Sequence, residues 1–430
     1  MRRSGLEVAP AATTAGPAAA PRIVAFSYNC DPGVGSEGGA GWAWARLLAG
    51  IGPTLVITRS LHGSDERVRD RLSAIPESDR LQVVDLDLPR WTRLFTGGHR
   101  DRFERLQYLA WHAAALRVAR RMNREHPFDL AWHLTWANVW LGSAAALVGP
   151  PFVYGPVGGG VGPPWRLAAS LGPRPLLAEI ARSATRAAMR HLNPLAAVSW
   201  RRARLILVQN PETRAWLPAA ARRRSVVLPN ALFEEPPAPR APHAPGTTAL
   251  FAGRLLPWKG ASLAVRAIAA SPPWRLVVCG DGPEMERLRA QAASLGVADR
   301  VEFRGWRPRD EVLRCMREEA DVLVFPSLHE EGGWAVAEAA ALGLPVVCFD
   351  RGGPAVLGGC AVPVSDLDET VDRLARALRA TATAPGIARA ADPGALTVER
   401  RRVEVARLLA AAGLRAPDPD DAGVSPASPS

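Results

Sequence analysis

Cysteine is scarce in this sequence and lysine is almost absent. The 430 residues include five Cys, an odd number with no C-x-x-C spacing. Neither a disulfide framework nor a zinc site of paired cysteines is therefore indicated, and a reducing, cytoplasmic environment is favoured. Lys259 is the only lysine among 53 basic residues, all the others being Arg. Position 259 is thus an exception that needs a chemical reason.

No apolar run in the sequence is convincing as a membrane span. The apolar region 137–154 is interrupted by Gly and Pro, which makes it too short to cross a bilayer. The N-terminal stretch begins with two Arg but has no continuous apolar core, so residues 1–20 are predicted to be a flexible leader rather than a signal peptide. We expect any membrane contact to be peripheral, on the inner face of the plasma membrane.

The charge of the chain suggests anionic partners. The formal net charge is +11, and the stretch 181–224 contains ten Arg but a single acidic residue, Glu212. It has no aromatic-glycine pattern of the kind found in readers of single-stranded RNA, so no nucleic-acid partner is expected. Two interpretations remain open, an anionic membrane surface as partner and an ordinary solvated face.

The order of strand and helix patterns predicts an α/β protein with two domains. Strand-like 22–28 is followed by a glycine-rich loop, a helical stretch and strand-like 54–59, which is the opening of a parallel sheet covered by helices. The same alternation restarts after a Pro-rich segment at 232–246, which we interpret as a linker. Two doubly wound domains joined in this way enclose a ligand cleft at the carboxyl ends of their strands.

The predicted boundaries are as follows: leader 1–20, N-terminal acceptor-side domain 21–231, linker 232–246, C-terminal nucleotide-sugar domain 247–394, C-terminal helix 395–413 and disordered tail 414–430.

Four motifs in the second half carry a family resemblance. They are GRLLPWKG (253–260), VVCGDGPE (277–284), VEFRGW (301–306) and the long segment 321–353. In order and spacing they resemble family 4 glycosyltransferases. That resemblance implies the GT-B fold, in which two Rossmann-like domains face each other across a cleft. It also implies retaining, metal-independent transfer of a sugar from a nucleotide diphosphate donor to a hydroxyl acceptor, with lipid-linked acceptors and polysaccharide precursors as candidates.

Two basic residues are candidates for the donor's phosphates. A nucleotide diphosphate leaving group gains negative charge as the glycosidic bond breaks, and fixed cations stabilise that transition state. The resemblance places both Arg254 and Lys259 on the phosphates. In a chain rich in Arg, the single Lys lies where the family uses a compact point charge.

Glu330 and Glu338 match the E-x7-E pattern of the family. The resemblance implies that Glu338 binds the ribose hydroxyls. It implies that Glu330 is the catalytic carboxylate of the pair, which holds donor-sugar hydroxyls and places negative charge beside an oxocarbenium-like centre. Gly332 and Gly333 would open a helix N-terminus to phosphate oxygens. Since Glu331 stands where many relatives have Gly, the sequence leaves open which of the two adjacent acids faces the sugar.

Two further site candidates lie in the first half. The loop with Gly33, Gly35, Gly38 and Gly39 follows the first strand, and Gly35 is a donor-binding candidate, although a tight structural turn is equally compatible. His133 ends a predicted strand, and the resemblance implies a catalytic contact with the donor sugar. The alternative for His133 is a hydrogen-bonded core histidine.

No metal site is expected. The sequence has no D-x-D motif flanked by strands in the donor domain, and Asp281 lies in a G-D-G-P turn. The only cosubstrate implied is the nucleotide sugar itself. Trp258, Trp306 and Trp334 lie within the donor motifs and are candidates for stacking on a base or sugar. The alternatives to a transferase are an epimerase or hydrolase on the same fold, and a non-catalytic sugar-binding subunit.

Overall fold

The computed structural model describes residues 20–32, 37–59, 64–86, 100–136, 138–168, 171–235, 237–241, 246–383 and 393–417. All but residue 20 of the predicted leader and most of the predicted tail lie outside these ranges. Gly33 and Gly35 of the first glycine-rich loop also lie outside them, whereas Gly38 and Gly39 belong to the first helix.

The N-terminal half is built on a seven-stranded sheet in the order β3-β2-β1-β4-β5-β6-β7, with every pair parallel. Its central strands are buried on both faces, which is why they read as continuous apolar runs. The strands are β1 Ile23–Ser27, β2 Thr54–Arg59, β3 Leu81–Leu86, β4 Leu130–Thr135, β5 Phe152–Val157, β6 Ala203–Val208 and β7 Ser225–Val227.

The C-terminal half has a six-stranded parallel sheet in the order β10-β9-β8-β11-β12-β13. In both sheets the order reverses beside the first strand, β1 or β8, so a crevice opens there at the carboxyl ends. The strands are β8 Thr248–Ala252, β9 Arg275–Cys279, β10 Val301–Gly305, β11 Val322–Phe325, β12 Val346–Phe349 and β13 Cys360–Val362. The predicted two-domain α/β architecture is confirmed.

Helices connect the strands of each sheet. Those of the N-terminal half are α1 Glu37–Ile51, α2 Ser64–Leu72, α3 Arg100–Glu125, α4 Trp165–Ala168, α5 Pro173–Leu192, α6 Pro194–Arg202, α7 Pro211–Trp216 and α8 Ala219–Arg222. Those of the C-terminal half are α9 Ala261–Ala269, α10 Met285–Ser294, α11 Arg309–Glu318, α12 Trp334–Leu342, α13 Gly352–Leu357, α14 Leu367–Thr383 and α15 Val398–Ala411. Across the described ranges, no helix is both long and apolar enough to cross a membrane.

The last helix returns to the N-terminal half. Phe233 N donates to Leu396 O at 2.8 Å and Val398 N donates to Phe233 O at 3.2 Å, so the chain leaves and re-enters the N-terminal half at one place. From there α15 packs along α1, with Val405 and Leu409 fully buried in the core that α1 shares with the N-terminal sheet. The N-terminal core is therefore completed by the far end of the chain.

Replacing Leu409 by Ala is expected to lower the unfolding free energy by about 2–5 kcal/mol, because a fully buried Leu leaves a cavity. Arg407→Ala on the exposed side of α15 is the matched control and should change little. Chemical denaturation followed by tryptophan fluorescence measures both, and equal midpoints for the two variants would show that α15 does not contribute to this core.

Candidate active site

The loop after β8 is tied to the neighbouring turn after β9. Gly253 N donates to Cys279 O at 3.0 Å and Leu255 N donates to Asp281 O at 2.9 Å. Gly260 ends this loop with φ +78°, and a Cβ there would lie 1.9 Å from the carbonyl oxygen of Pro326. Only glycine fits such a conformation and such an approach. The loop that carries Arg254 and Lys259 is therefore fixed against the loop that follows β11.

Lys259 and Glu330 meet where these two loops touch. The Lys259 ammonium forms an ion pair with Glu330 Oε2, and its Nζ lies 5.8 Å from the centre of the Phe325 ring. The side chains are 23% and 17% exposed, so the pair is shielded but open to a ligand. Two predicted site residues that are far apart in sequence are thus brought into contact.

Arg254 lies on the same loop with its side chain exposed. Its backbone carbonyl accepts from Leu256 N at 2.9 Å, whereas its side chain forms no hydrogen bond and no ion pair with the described residues. The guanidinium is therefore accessible to solvent in the loop that follows β8.

Glu338 lies on α12 and is almost fully buried, with 8% of its surface exposed. Arg309, at the start of α11, donates from Nε to Glu338 Oε1 at 2.5 Å. Burial raises the pKa of Glu338 above its usual value, and the neighbouring Arg309 opposes that rise. Arg309 was not among the site residues predicted from the sequence. Its signal was a basic residue shortly after the VEFRGW motif, which composition alone does not distinguish from other Arg.

Gly332 and Gly333 form the entry to α12. Gly333 has φ +79°, a left-handed conformation that favours glycine, and its carbonyl accepts from Val336 N and Ala337 N to begin the helix. A Cβ on Gly332 would lie 2.8 Å from Asn230 Oδ1 and 3.1 Å from Gln209 Oε1. The glycine pair therefore lets this loop lie against the N-terminal half.

Glu331 is directed away from Glu330 and into the N-terminal half. Its carboxylate accepts from Val161 N at 3.0 Å, from Asn210 Nδ2 at 2.9 Å and from Thr213 Oγ1 at 3.0 Å. Of the two adjacent acids that the sequence left open, Glu330 is the one that contacts Lys259.

His133 is not brought to this group of residues. It lies on β4 with no exposed surface, between the rings of His112 at 5.6 Å and Tyr154 at 5.5 Å. Burial lowers the pKa of His133 to about 3, so the ring is neutral at physiological pH. The backbone of Trp136 opposes this lowering of the His133 pKa. The burial agrees with the core-histidine alternative, and the catalytic role stays a prediction.

The three tryptophans of the donor motifs have different surroundings. Trp258 stacks on His329, with ring centres 5.5 Å apart and an interplanar angle of 15°. Trp334 packs edge-on against Phe233 at 5.8 Å, whereas Trp306 is 70% exposed. Of the three, Trp306 therefore has the most surface free for a planar ligand.

Metal ligands do not gather in the part of the chain that the structure describes. No group of three or more His, Cys, Asp or Glu side chains there is arranged to hold an ion. The metal-independent chemistry expected from the sequence stays a prediction.

The raised pKa of Glu338 predicts a pH-dependent effect on stability. A buried carboxyl whose folded pKa is raised destabilises the fold as pH rises above its unfolded pKa, near 4.5, because ionisation becomes more unfavourable in the folded state. Glu338→Gln is therefore expected to raise the Tm at pH 7 and to change it little at pH 4. Glu286→Gln, at a side chain that is 91% exposed, is the control. A Tm difference for Glu338→Gln that is equal at both pH values would contradict this assignment.

Known proteins resemble parts of this chain. Residues 238–380 match the family model described as Glycosyl transferases group 1. A 2-deoxystreptamine glucosyltransferase of Streptomyces kanamyceticus is 36% identical over 136 residues, which cover 29% of this chain and 35% of that protein. A D-inositol 3-phosphate glycosyltransferase of Acidothermus cellulolyticus is 43% identical over 122 residues, covering 25% and 27%. The chain thus matches about a third or less of the length of these curated relatives.

Solved structures resemble the chain over most of its length. HepE of Anabaena, in complex with UDP and glucose, has a TM-score of 0.56 at 18% identity and covers 91% of this chain and 100% of its own. At this identity the likeness establishes the fold. The chain therefore has the GT-B fold and carries a glycosyl transferases group 1 domain at residues 238–380.

Proposed function

We propose that the protein is a retaining, metal-independent family 4 glycosyltransferase that moves a sugar from a nucleotide diphosphate donor to a hydroxyl acceptor. The observation that carries this proposal is the contact between Lys259 and Glu330 at the carboxyl ends of the adjacent strands β8 and β11. A cation and a carboxylate side by side at this edge suit the two parts of such a donor, its diphosphate and its sugar. HepE is described with UDP and glucose, which makes UDP-sugars the first donors to test.

In this proposal the cations act on the leaving group. Lys259 and Arg254 bind the diphosphate, where negative charge grows as the glycosidic bond breaks, and so they stabilise the transition state more than the ground state. The side chain of Arg254 is exposed and forms no hydrogen bond or ion pair with the described residues, so it is available to a phosphate without breaking an existing bond.

The two carboxylates have separate roles. Glu330 holds the donor-sugar hydroxyls, since Glu331 is already bonded to three donors of the N-terminal half. Glu338 binds the ribose hydroxyls, and Arg309, which donates to Oε1, opposes the rise in the pKa of Glu338 that burial causes. In front-face transfer the acceptor hydroxyl attacks from the side on which the diphosphate leaves, so the leaving phosphate takes the proton and no protein nucleophile is required.

The acceptor is a hydroxyl compound that enters from the N-terminal half. The two curated relatives are named for 2-deoxystreptamine and D-inositol 3-phosphate, so carbocyclic polyols are the first soluble acceptors to test.

A lipid-linked acceptor is the alternative, with the enzyme in the cytoplasm on the inner face of the membrane. Its support is α5, which exposes 64% of Leu177, 47% of Ile180 and 75% of Leu192 next to basic side chains.

The phosphate role of Lys259 is tested by Lys259→Ala. A thermal-shift panel of UDP-, GDP- and ADP-sugars first identifies the donor, because a ligand that binds the folded state raises the Tm. With that donor, the variant is expected to lose about 30- to 1000-fold in turnover, or about 2–4 kcal/mol of transition-state stabilisation. The matched control is Arg287→Ala, an exposed cation paired with Glu284 in the same half.

Near-normal turnover of Lys259→Ala would show that its ammonium does not bind the diphosphate. Donor consumption that needs no acceptor would favour a hydrolase or an epimerase, and no shift with any donor would favour a non-catalytic subunit.

The membrane role is tested by sedimentation with vesicles. Binding should require anionic lipid and fall steeply with salt, since each exposed Arg near such a surface contributes about 1 kcal/mol and is screened. The variant Leu177→Ser should bind the vesicles more weakly than the wild type, because the substitution removes an apolar contact with the lipid. Absence of pelleting with anionic vesicles at low salt would contradict membrane attachment and point to a soluble acceptor.

A further inference from the structure

Three consecutive residues after β11 alternate between the two halves of the molecule. His329 Nε2 lies 2.8 Å from Oε1 of Glu179 on α5, and Glu331 is bonded to the N-terminal half. Glu330, between them, forms its ion pair with Lys259 in the C-terminal half. The residues on either side of Glu330 are therefore both bonded to the N-terminal half.

The carboxylate of Glu331 is fully engaged in this grip. Val161 N donates to one oxygen, and Asn210 Nδ2 and Thr213 Oγ1 donate to the other. Asn210 Nδ2 also donates to the backbone oxygen of Glu331 at 3.0 Å. Hydrogen bonds to an ionised acceptor are about twice as strong as neutral ones. Both the side chain and the backbone of Glu331 thus bind the N-terminal half.

Gly158 makes room for this side chain, and Gly160 makes room for its partner Thr213. A Cβ on Gly158 would lie 2.8 Å from Cβ and 3.1 Å from Cγ of Glu331. A Cβ on Gly160 would lie 2.3 Å from Cα of Thr213. The seating of Glu331 therefore explains the glycine at position 158.

The segment 351–353 adds further bonds between the two halves beside this loop. Gly353 N donates to Glu330 O at 3.0 Å. The preceding residue, Gly352, donates from N to Glu212 Oε1 of the N-terminal half at 2.9 Å. Arg351 reaches Gly162 O at 2.6 Å. The backbone of Glu330 is therefore held by a segment that is itself bonded across the cleft.

We propose that Glu331 is a positioning residue, an interdomain clasp that holds Glu330 in its working orientation only while the two halves are docked. This rests on the proposed role of Glu330 toward the donor sugar. Glu331 itself does not touch the nucleotide sugar. It couples closure of the cleft to the placement of Glu330, because moving the N-terminal half away removes all three hydrogen-bond donors of the Glu331 carboxylate at once.

The clasp is tested from both sides with the full chain, using Glu331→Ala and Gly158→Ala. Hydrogen-deuterium exchange is expected to rise most in the peptide that contains Val161, whose amide loses its bond to Glu331, and to a smaller extent in the peptide that contains Thr213, whose hydroxyl loses its bond there. Turnover of the UDP-sugar chosen by thermal shift is expected to fall about 10- to 100-fold through kcat, the factor of one charged hydrogen bond. Binding of UDP alone should stay near the wild-type value. The matched control is Glu286→Ala, an exposed acid of the same half.

The double variant should lose less than the sum of the two single effects, since both substitutions remove one interaction. Thr213→Val, which removes a single donor to Glu331, serves if Glu331→Ala fails to fold, and its exchange at Val161 should rise by a smaller amount. Unchanged exchange in these peptides, or additive losses in the double variant, would overturn the clasp. If exchange rises as expected but the wild type turns over no nucleotide sugar, the proposed function fails and the interdomain bond of Glu331 stands.

Discussion

The parallel pairing of β8 with β11 is the constraint on which the site depends. These strands are 73 residues apart in register, with Ala249 opposite Val322, yet their carboxyl ends share one edge of the sheet. A basic loop after β8 and an acidic loop after β11 must therefore meet, and Lys259 and Glu330 do so. Glycine at position 260 allows the two loops to lie this close together, because any side chain there would clash with the backbone of Pro326. The charge pair is a consequence of topology rather than of nearby sequence.

The fold was largely predictable because parallel strands buried on both faces read as apolar runs bounded by turns. The strand-like stretches 22–28 and 54–59 predicted from the sequence are β1 Ile23–Ser27 and β2 Thr54–Arg59, and the strand that His133 was expected to end is β4. The short edge strand β13 was not predicted, because Cys360–Val362 is three residues long and carries no pattern. The docking of α15 on α1 was not predictable either, since an amphipathic helix shows that it has a buried face but not which surface covers it.

The family resemblance proposed Lys259, Glu330, Glu338 and the glycine pair as site residues, and their roles stay predictions. The structure places Lys259 against Glu330. The spacing of residues in a motif does not show in which direction each side chain points. Adjacent acids 330 and 331 look alike in sequence, and only the partners of Glu331 in the other half distinguish them. Arg309 was missed for the same reason, because its contact with Glu338 spans two separate helices. His133 shows the converse, a strand-end position whose side chain is directed into the core.

The binding of the donor's diphosphate by Lys259 is tested most directly by the position of its ammonium in a crystal structure of the complex with UDP-glucose. We expect a phosphate oxygen within about 3 Å of Lys259 Nζ, the glucose hydroxyls at Glu330, and Glu331 still bonded to Val161 and Thr213. A diphosphate bound away from the loop after β8 would show that Lys259 does not bind the leaving group.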